Sequence, residues 1–441
     1  MGTLNPVLLA NNLETDHAPR FHMLEDWLSW QQDLHFTAID LGLERCRAVA
    51  EKMGLLDPEF IVISVAGTNG KGSSVTMLDM ILRYSGYLTG KYTSPHLLKY
   101  NERICTNGLE VEDEQLCRAF DRVDRARAGI SLSYFEFGTL AALEIFKQQQ
   151  VEIGILEVGL GGRLDAVNIL DADAALITSI DVDHENWLGY NRNSVGREKA
   201  GILRAGKPAV CSDTSPPQSI TEYADDAGVE LELLNIDYSY QIKNSVWDWK
   251  AGSLQYLGLP KPDVYNDCQL QNAAGVIMLL KTMSNQIEVR EDAIISAMRD
   301  FRLQGRFQII PGVVPYVLDV AHNVQAAKLL VSNLQKLDVN GKTHCVIGMQ
   351  KDKNHESIFE ELDKVVDVWH LVDLPAETTA SAAYLAEKLQ ISAKPQEMYQ
   401  FDYADKALEF ASENTMAGDR ILVTGSFLTV NAVTNWLQRE T

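Results

Sequence analysis

The chain carries at positions 67–74 the stretch Gly67-Thr68-Asn69-Gly70-Lys71-Gly72-Ser73-Ser74. The residues before it, Phe60-Ile61-Val62-Ile63-Ser64-Val65-Ala66, form an almost wholly apolar run typical of a buried strand. After it, Val75, Leu78, Ile81 and Leu82 recur at the spacing that fills one face of a helix. This order predicts a buried strand, a glycine-rich turn and the first turn of a helix.

This turn has the chemistry to hold a polyphosphate. Glycines let the backbone come close to an anion, the amides and the helix dipole attract negative charge, and the lysine adds a positive charge. The pattern departs from a strict Walker A loop, because only two residues separate Gly67 from Gly70 and Gly72 replaces the usual hydroxyl. We expect a nucleotide-phosphate site in which Ser73 or Ser74 serves the metal, with a plain turn as the alternative.

Length and composition indicate a globular chain of two domains, or of one large domain with an appendage. The chain has 441 residues, of which 46% are hydrophobic and 23% charged. No apolar run approaches the roughly 20 residues of a membrane span, and no secretory signal is evident. Six scattered cysteines without a C-x-x-C pair favour reduced thiols in the cytoplasm. A net charge of −22 argues against nonspecific nucleic-acid binding but not against a local nucleotide site.

The first half of the chain alternates apolar runs with helical patterns, which predicts a parallel, doubly wound sheet. One run ends at Glu157 and a second is followed by His184. The carboxyl ends of such strands open on one edge of the sheet, so we expect both side chains to meet Lys71 there. Residues 230–265 change to short strand-like pieces, interpreted as an insertion or a sheet at the rim. A helix is expected to begin at Gln271.

A second α/β pattern follows a hinge expected near Gln304. Apolar runs at 316–320, 345–348, 368–372 and 421–426 predict four strands of one domain of ordinary size. The predicted fold is therefore α/β with two domains. Residues 1–303 form a P-loop ATPase-like doubly wound sheet, and residues 304–441 form a smaller Rossmann-like domain.

Taken singly, the polar residues near these strand ends are ambiguous. Glu157 suits Mg²⁺, which prefers oxygen ligands, although a lone acid at a strand end is often a helix cap or an ion-pair partner. His184 alone reads as a hydrogen-bonded loop histidine, and Lys199 as a surface charge on a helix. No Ser-His-Asp or Cys-His signature indicates a protein nucleophile.

Together, the ordered motifs resemble one family, from about residue 20 to the C-terminus. They are Ser64-Val65-Ala66-Gly67-Thr68-Asn69-Gly70-Lys71-Gly72-Ser73, Thr93-Ser94-Pro95-His96-Leu97, Glu157-Val158-Gly159-Leu160-Gly161-Gly162-Arg163-Leu164-Asp165, Asp183-His184, Trp187-Leu188-Gly189, Arg197-Glu198-Lys199-Ala200-Gly201-Ile202, Gly305-Arg306 and Asp319-Val320-Ala321-His322-Asn323. This set resembles the dihydrofolate synthase/folylpolyglutamate synthase family of the Mur ligase superfamily.

The resemblance implies an ATP-dependent ligase that phosphorylates a carboxylate and lets the amino group of L-glutamate attack the acyl phosphate. It implies two Mg²⁺ ions, with Ser94, Glu157 and His184 as ligands and with Lys199 carbamylated into a further one. The residues implied to bind ATP are Gly67, Thr68, Asn69, Gly70, Lys71, Gly72, Ser73, Ser74, Asn272, Arg306 and Asp319.

The resemblance also implies where the other substrates bind. His322 maps to the region where glutamate meets the acyl phosphate, and Phe135, Asp165 and Ala166 map to the pterin pocket of bifunctional members. The implied catalytic residues are Lys71, Glu157, His184, Lys199 and His322. The chain departs from the family pattern at Val324, where proline is common, and at Ser133, which replaces a threonine.

We therefore expect a monomeric ligase that makes dihydrofolate from dihydropteroate and extends folates with glutamate. The alternatives are a folylpolyglutamate synthase without the first activity, or another Mur-family carboxylate–amine ligase. A regulatory nucleotide-binding protein is disfavoured because Glu157 and Lys199 are both present. A small-molecule kinase fits the loop but leaves the second domain unexplained.

Overall fold

A computed structural model describes residues 18–37, 40–262, 268–337, 339–393, 395 and 397–440. The chain opens with two short helices, α1 (Leu24–Gln32) and α2 (Glu44–Met53). The sequence of residues 1–59 predicts helices with polar breaks, and α1 and α2 confirm this within the described residues, whereas residues 1–17 and 38–39 lie outside them.

An eight-stranded sheet forms the centre of the first domain, in the order β4-β3-β2-β5-β1-β6-β7-β8. Its strands are β1 (Ile61–Ala66), β2 (Thr89–Tyr92), β3 (Ile104–Thr106), β4 (Leu109–Glu110), β5 (Ile153–Glu157), β6 (Ala174–Ile177), β7 (Ala209–Cys211) and β8 (Leu231–Leu233). The six strands from β2 to β8 in this order are parallel, whereas the β2–β3 and β3–β4 pairs at one edge are antiparallel. The predicted parallel sheet is confirmed.

Helices cover both faces of this sheet because its strands are apolar on both sides. In β1, Val62 packs into one core and Ile63 and Val65 into the other. The helices of this part are α3 (Lys71–Tyr84), α4 (Asp113–Arg127), α5 (Tyr134–Gln148), α6 (Glu185–Leu188), α7 (Arg192–Ala200), α8 (Gln218–Ala227), α9 (Cys268–Thr282) and α10 (Glu291–Asp300). The expected helix start at Gln271 was too late, since the helix already includes Cys268.

The strand-like segment after residue 230 forms a separate antiparallel sheet in its larger part. Its strands are β9 (Tyr238–Lys243), β10 (Val246–Ala251) and β11 (Leu254–Pro260). Trp247 and Trp249 are fully buried in the core that this small sheet shares with α9. The Trp249 indole N–H donates to the Ala274 carbonyl at 3.1 Å, which ties the small sheet to that helix.

A six-stranded sheet organises the C-terminal part, in the order β12-β13-β17-β14-β15-β16, with only β12 antiparallel. Its strands are β12 (Gln308–Ile310), β13 (Tyr316–Leu318), β14 (Thr343–Ile347), β15 (Val368–Val372), β16 (Glu397–Phe401) and β17 (Arg420–Thr424). Its helices are α11 (Val324–Leu334), α12 (His355–Leu362), α13 (Ala382–Ser392), α14 (Ala404–Glu413) and α15 (Phe427–Glu440). The two-domain α/β fold is confirmed, and the boundary at 303/304 stays a prediction.

Among the described helices, none combines the length and the apolar character that crossing a bilayer requires.

Candidate active site

The glycine-rich loop joins β1 to α3, as the sequence predicts. Gly70 lies at the start of α3 with φ of +93°, a conformation that L side chains avoid. A Cβ at this position would lie 2.4 Å from the Asn272 side-chain oxygen. Only glycine therefore allows the loop backbone to pass this close to Asn272, one of the residues predicted to bind the nucleotide.

Two lysines meet at one carbonyl of this loop. Lys71 Nζ donates to the Gly67 carbonyl at 3.0 Å and to the Thr68 carbonyl at 3.1 Å. Lys199 Nζ donates to the same Gly67 carbonyl at 2.8 Å, and Lys199 is only 4% exposed. Burial, reinforced by the charge of Lys71, lowers the pKa of Lys199 to about 7. The helix lysine that looks like a surface charge in the sequence is therefore a buried amine beside the phosphate loop.

Glu157 ends β5 beside this loop and is 5% exposed. One carboxylate oxygen accepts the Ser94 N–H at 3.2 Å. Burial raises the pKa of Glu157, and the nearby charge of Lys71 partly offsets that rise. A buried carboxylate with a cation on one side is suited to a second positive partner, which a metal ion would supply.

The four side chains predicted to hold metal line one cavity of about 130 Å³, beside the glycine loop. They are Ser94, Glu157, His184 and Lys199. In the part of the chain that the structure describes, no three His, Cys, Asp or Glu side chains converge as a metal cluster. The set fits Mg²⁺, which takes few protein ligands and completes its shell with water and substrate phosphates.

A larger cavity of about 420 Å³ lies between the two domains and adjoins the glycine loop. From the N-terminal domain it is lined by Asn69, Gly70, Ser73, Ser179, Cys268, Gln269, Gln271 and Asn272. From the C-terminal part it is lined by Arg306, Asp319, Gln325, Ala326, Lys328, Leu329, Leu330, Ser332 and Asn333. Its volume and its mixture of apolar and amide side chains suit a nucleoside.

Asp319 and His322 follow β13 and face the N-terminal domain. The Asp319 carboxylate accepts the backbone N–H groups of Phe307 and Ala321, both at 2.8 Å, and so holds the turn that carries Arg306. His322 lines the smaller cavity, and its Nδ1 lies 2.8 Å from the Val320 carbonyl. Burial, together with the charge of Lys353, lowers the pKa of His322 to about 4, so the imidazole is neutral at neutral pH.

Amide side chains join the phosphate loop to the C-terminal domain. Asn69 Nδ2 donates to Asn323 at 3.2 Å and to Gln325 at 2.6 Å, and Asn323 returns a bond to Asn69 at 3.1 Å. The Asn323 side chain also caps α11 by accepting the Ala326 N–H at 2.9 Å. This N-cap stabilises the start of α11 although Val324 replaces the proline that is common there. Sequence reasoning missed Gln325, and only its position two residues after the His-Asn pair hinted at it.

Four predicted residues line neither of the two cavities described above. Ser74 is fully buried. Asp165 accepts the N–H groups of Leu160 at 2.8 Å and Val167 at 3.0 Å, and burial raises its pKa to about 7. Ala166 is 4% exposed. The Phe135 ring packs so closely on Gly159 that a Cβ there would lie 2.7 Å from it. Phe135, Asp165 and Ala166 thus lie around the loop that follows Glu157.

These features define a class: a two-domain α/β enzyme in which a phosphate loop of one domain faces a second domain across a nucleotide-sized cleft. Residues 305–427 match the family model described as "Mur ligase, glutamate ligase domain". The dihydrofolate synthase/folylpolyglutamate synthase of Escherichia coli (strain K12) is 41% identical over 407 residues, covering 92% of this chain and 94% of that protein.

Solved structures of the same family as that relative have the same fold as this chain. The structure described as E. coli FolC in complex with DHPP and ADP superposes with a TM-score of 0.90 at 40% identity, covering 95% of this chain and 98% of that one. A bifunctional folylpolyglutamate synthase/dihydrofolate synthase with Mn, AMPPNP and L-glutamate bound gives a TM-score of 0.87 at 40% identity, with the same coverage. The chain belongs to the dihydrofolate synthase/folylpolyglutamate synthase family.

Proposed function

We propose that this protein is an ATP-dependent ligase that joins L-glutamate to dihydropteroate, forming dihydrofolate, and to folates. The observation that carries the proposal is the pair of adjoining cavities. The nucleotide-sized cleft and the small charged cavity share Asn69, Gly70 and Arg306. A nucleotide in the first would therefore direct its terminal phosphate into the second, where the candidate catalytic side chains converge.

The proposed chemistry proceeds in two transfers. The γ-phosphoryl group of ATP passes to a carboxylate oxygen of the folate substrate, which gives an acyl phosphate and ADP. The amino nitrogen of L-glutamate then attacks the acyl carbon, the C–O bond to phosphate breaks, and the amide forms with release of phosphate and a proton. Lys71 and the loop amides would hold the phosphates, as fixed donors do where charge develops.

Divalent metal is the second part of this proposal. Glu157 and Ser94 would hold one Mg²⁺ and His184 would help to hold another. When bound, the ions offset the charge that builds on the transferring phosphoryl group. The related structure with Mn and AMPPNP supports a divalent ion for that relative.

We further propose that Lys199 is carbamylated. A pKa of about 7 leaves much of this amine neutral at physiological pH, and a neutral amine is the form that reacts with CO₂. The product is a carboxylate-like group, which would turn the buried cation into a metal ligand. Lys199 lines the same cavity as Glu157 and His184, which supports that role.

For the substrates, we place glutamate near His322 and the pterin near Phe135, Asp165 and Ala166. The neutral His322 imidazole lines the charged cavity, as expected for a group beside the attacking amine. We also retain a cytoplasmic monomer as the proposed state. Buried thiols such as those of Cys46 and Cys345 suit a reducing compartment.

An ADP-release assay with ATP, Mg²⁺ and L-glutamate tests the function directly, with dihydropteroate and tetrahydrofolate compared as acceptors. Activity with both supports the bifunctional enzyme. Activity with tetrahydrofolate alone identifies a folylpolyglutamate synthase only. Absence of glutamate-dependent turnover with either acceptor would refute the proposed function.

A further inference from the structure

Two consecutive residues of the C-terminal domain, Asp352 and Lys353, contact two consecutive residues of the N-terminal domain, Asp183 and His184. Lys353 Nζ donates to the Asp183 carboxylate at 2.8 Å. The Asp352 carboxylate lies 3.4 Å from His184 Nδ1, a polar contact longer than most hydrogen bonds. Asp183 and His184 precede α6, and Asp352 and Lys353 precede α12. We call these four residues the domain clamp.

The Lys353–Asp183 half of the domain clamp is buried. The Lys353 side chain is 3% exposed and that of Asp183 is 9% exposed. Asp183 also accepts the Asn323 side-chain N–H at 3.1 Å, and Asn323 in turn bonds Asn69 of the phosphate loop. Removing one partner of such a pair leaves an uncompensated buried charge, which strongly destabilises the docked arrangement of the two domains. The pair therefore selects one docking position of the domains and connects it to the phosphate loop.

The Asp352–His184 half bears on the metal site. His184 lines the small charged cavity, and its Nδ1 faces Asp352. A carboxylate at Nδ1 favours the tautomer that carries its proton there, which leaves Nε2 as the nitrogen available to the cavity. Carboxylates commonly orient metal-binding histidines in this way, and losing one lowers metal affinity by about 10- to 100-fold.

We propose that Asp352 and Lys353 are positioning residues that hold Asp183 and His184 in place. Docking of the C-terminal domain would thereby complete the small charged cavity of the N-terminal domain in which metal and the terminal phosphate bind. This inference rests on the proposed function, since it assigns the C-terminal domain a role in assembling that site. It predicts that metal affinity measured with bound nucleotide depends on two residues of the C-terminal domain.

The test measures Mn²⁺ binding to the full-length protein with AMPPNP, by electron paramagnetic resonance of free Mn²⁺ below the melting temperature of each variant. We expect Lys353→Met and Asp352→Asn each to weaken Mn²⁺ binding by about tenfold or more. The matched control is Lys351→Met, because Lys351 lies in the same loop but donates to the Glu377 carbonyl within its own domain. Its Mn²⁺ affinity should equal that of the wild type.

A purely structural role would lower the melting temperature of Lys353→Met and leave its Mn²⁺ affinity unchanged, and that result would overturn the inference. Wild-type protein that binds no Mn²⁺ with AMPPNP would also overturn it. Should Lys353→Met fail to fold, Asp352→Asn decides, because the Asp352 side chain is 35% exposed and its loss leaves the core intact. Missing ligase turnover alongside the expected Mn²⁺ affinities would count against the proposed function alone.

Discussion

Replacing Glu157 with glutamine removes one negative charge and leaves the shape of the side chain almost unchanged. Glu157 is the only carboxylate among the four residues predicted to hold metal. At an effective dielectric constant near 20, a unit charge about 4 Å from another interacts with about 4 kcal/mol, which corresponds to roughly a 10³-fold loss of rate. We expect Glu157→Gln to lower ATP-dependent phosphate release by about that factor.

The same substitution should not lower the melting temperature. A neutral amide removes the cost of burying a carboxylate, and its oxygen still accepts the Ser94 N–H. Phosphate release is measured with saturating Mg²⁺, dihydropteroate and L-glutamate. Glu152→Gln serves as the matched control, because Glu152 is exposed and its carboxylate accepts the Leu88 N–H near the opposite end of β5. Wild-type phosphate release by Glu157→Gln would refute the metal assignment.

Three further outcomes test separate parts of the account. Gly70→Ala forces φ of +93° on an L residue and drives its Cβ toward Asn272, so nucleotide affinity measured by calorimetry should fall while the fold survives. Enzyme stripped of CO₂ should lose activity and recover it when CO₂ is restored; at equal dissolved CO₂ the recovery should be faster at pH 8 than at pH 6, because the neutral fraction of Lys199 rises through its pKa of about 7. Trp249→Ala should lower the free energy of unfolding by about 3–5 kcal/mol in denaturant titrations, since the side chain is fully buried and bonded to Ala274.

The parts of the fold that sequence reasoning predicted are those with a local signal. The apolar run before Gly67 and the helical spacing after Ser74 correspond to β1 and α3. Strand ends at Glu157 and ahead of His184 also follow from short apolar runs. Because parallel strands end on one edge of a sheet, the sequence alone predicts that these residues converge beside Lys71.

The contacts that join the domains could not be predicted in this way. Asp183 and Lys353 are 170 positions apart, and Asn69 and Asn323 are 254 apart. Neither pair leaves a periodic or spacing signal, because each depends on how two separate sheets dock. The buried setting of Lys199 had no local signal either, since its helix has an apolar face too weak to indicate which side is covered.

In the proposed reaction, ATP activates a carboxylate before glutamate attacks it. Dihydropteroate labelled with ¹⁸O in its carboxylate and turned over with ATP, Mg²⁺ and L-glutamate reveals whether that activated intermediate forms. An acyl phosphate leaves one carboxylate oxygen on the departing phosphate, so ³¹P NMR should find one ¹⁸O in each phosphate released. Unlabelled phosphate formed in step with dihydrofolate would contradict the account.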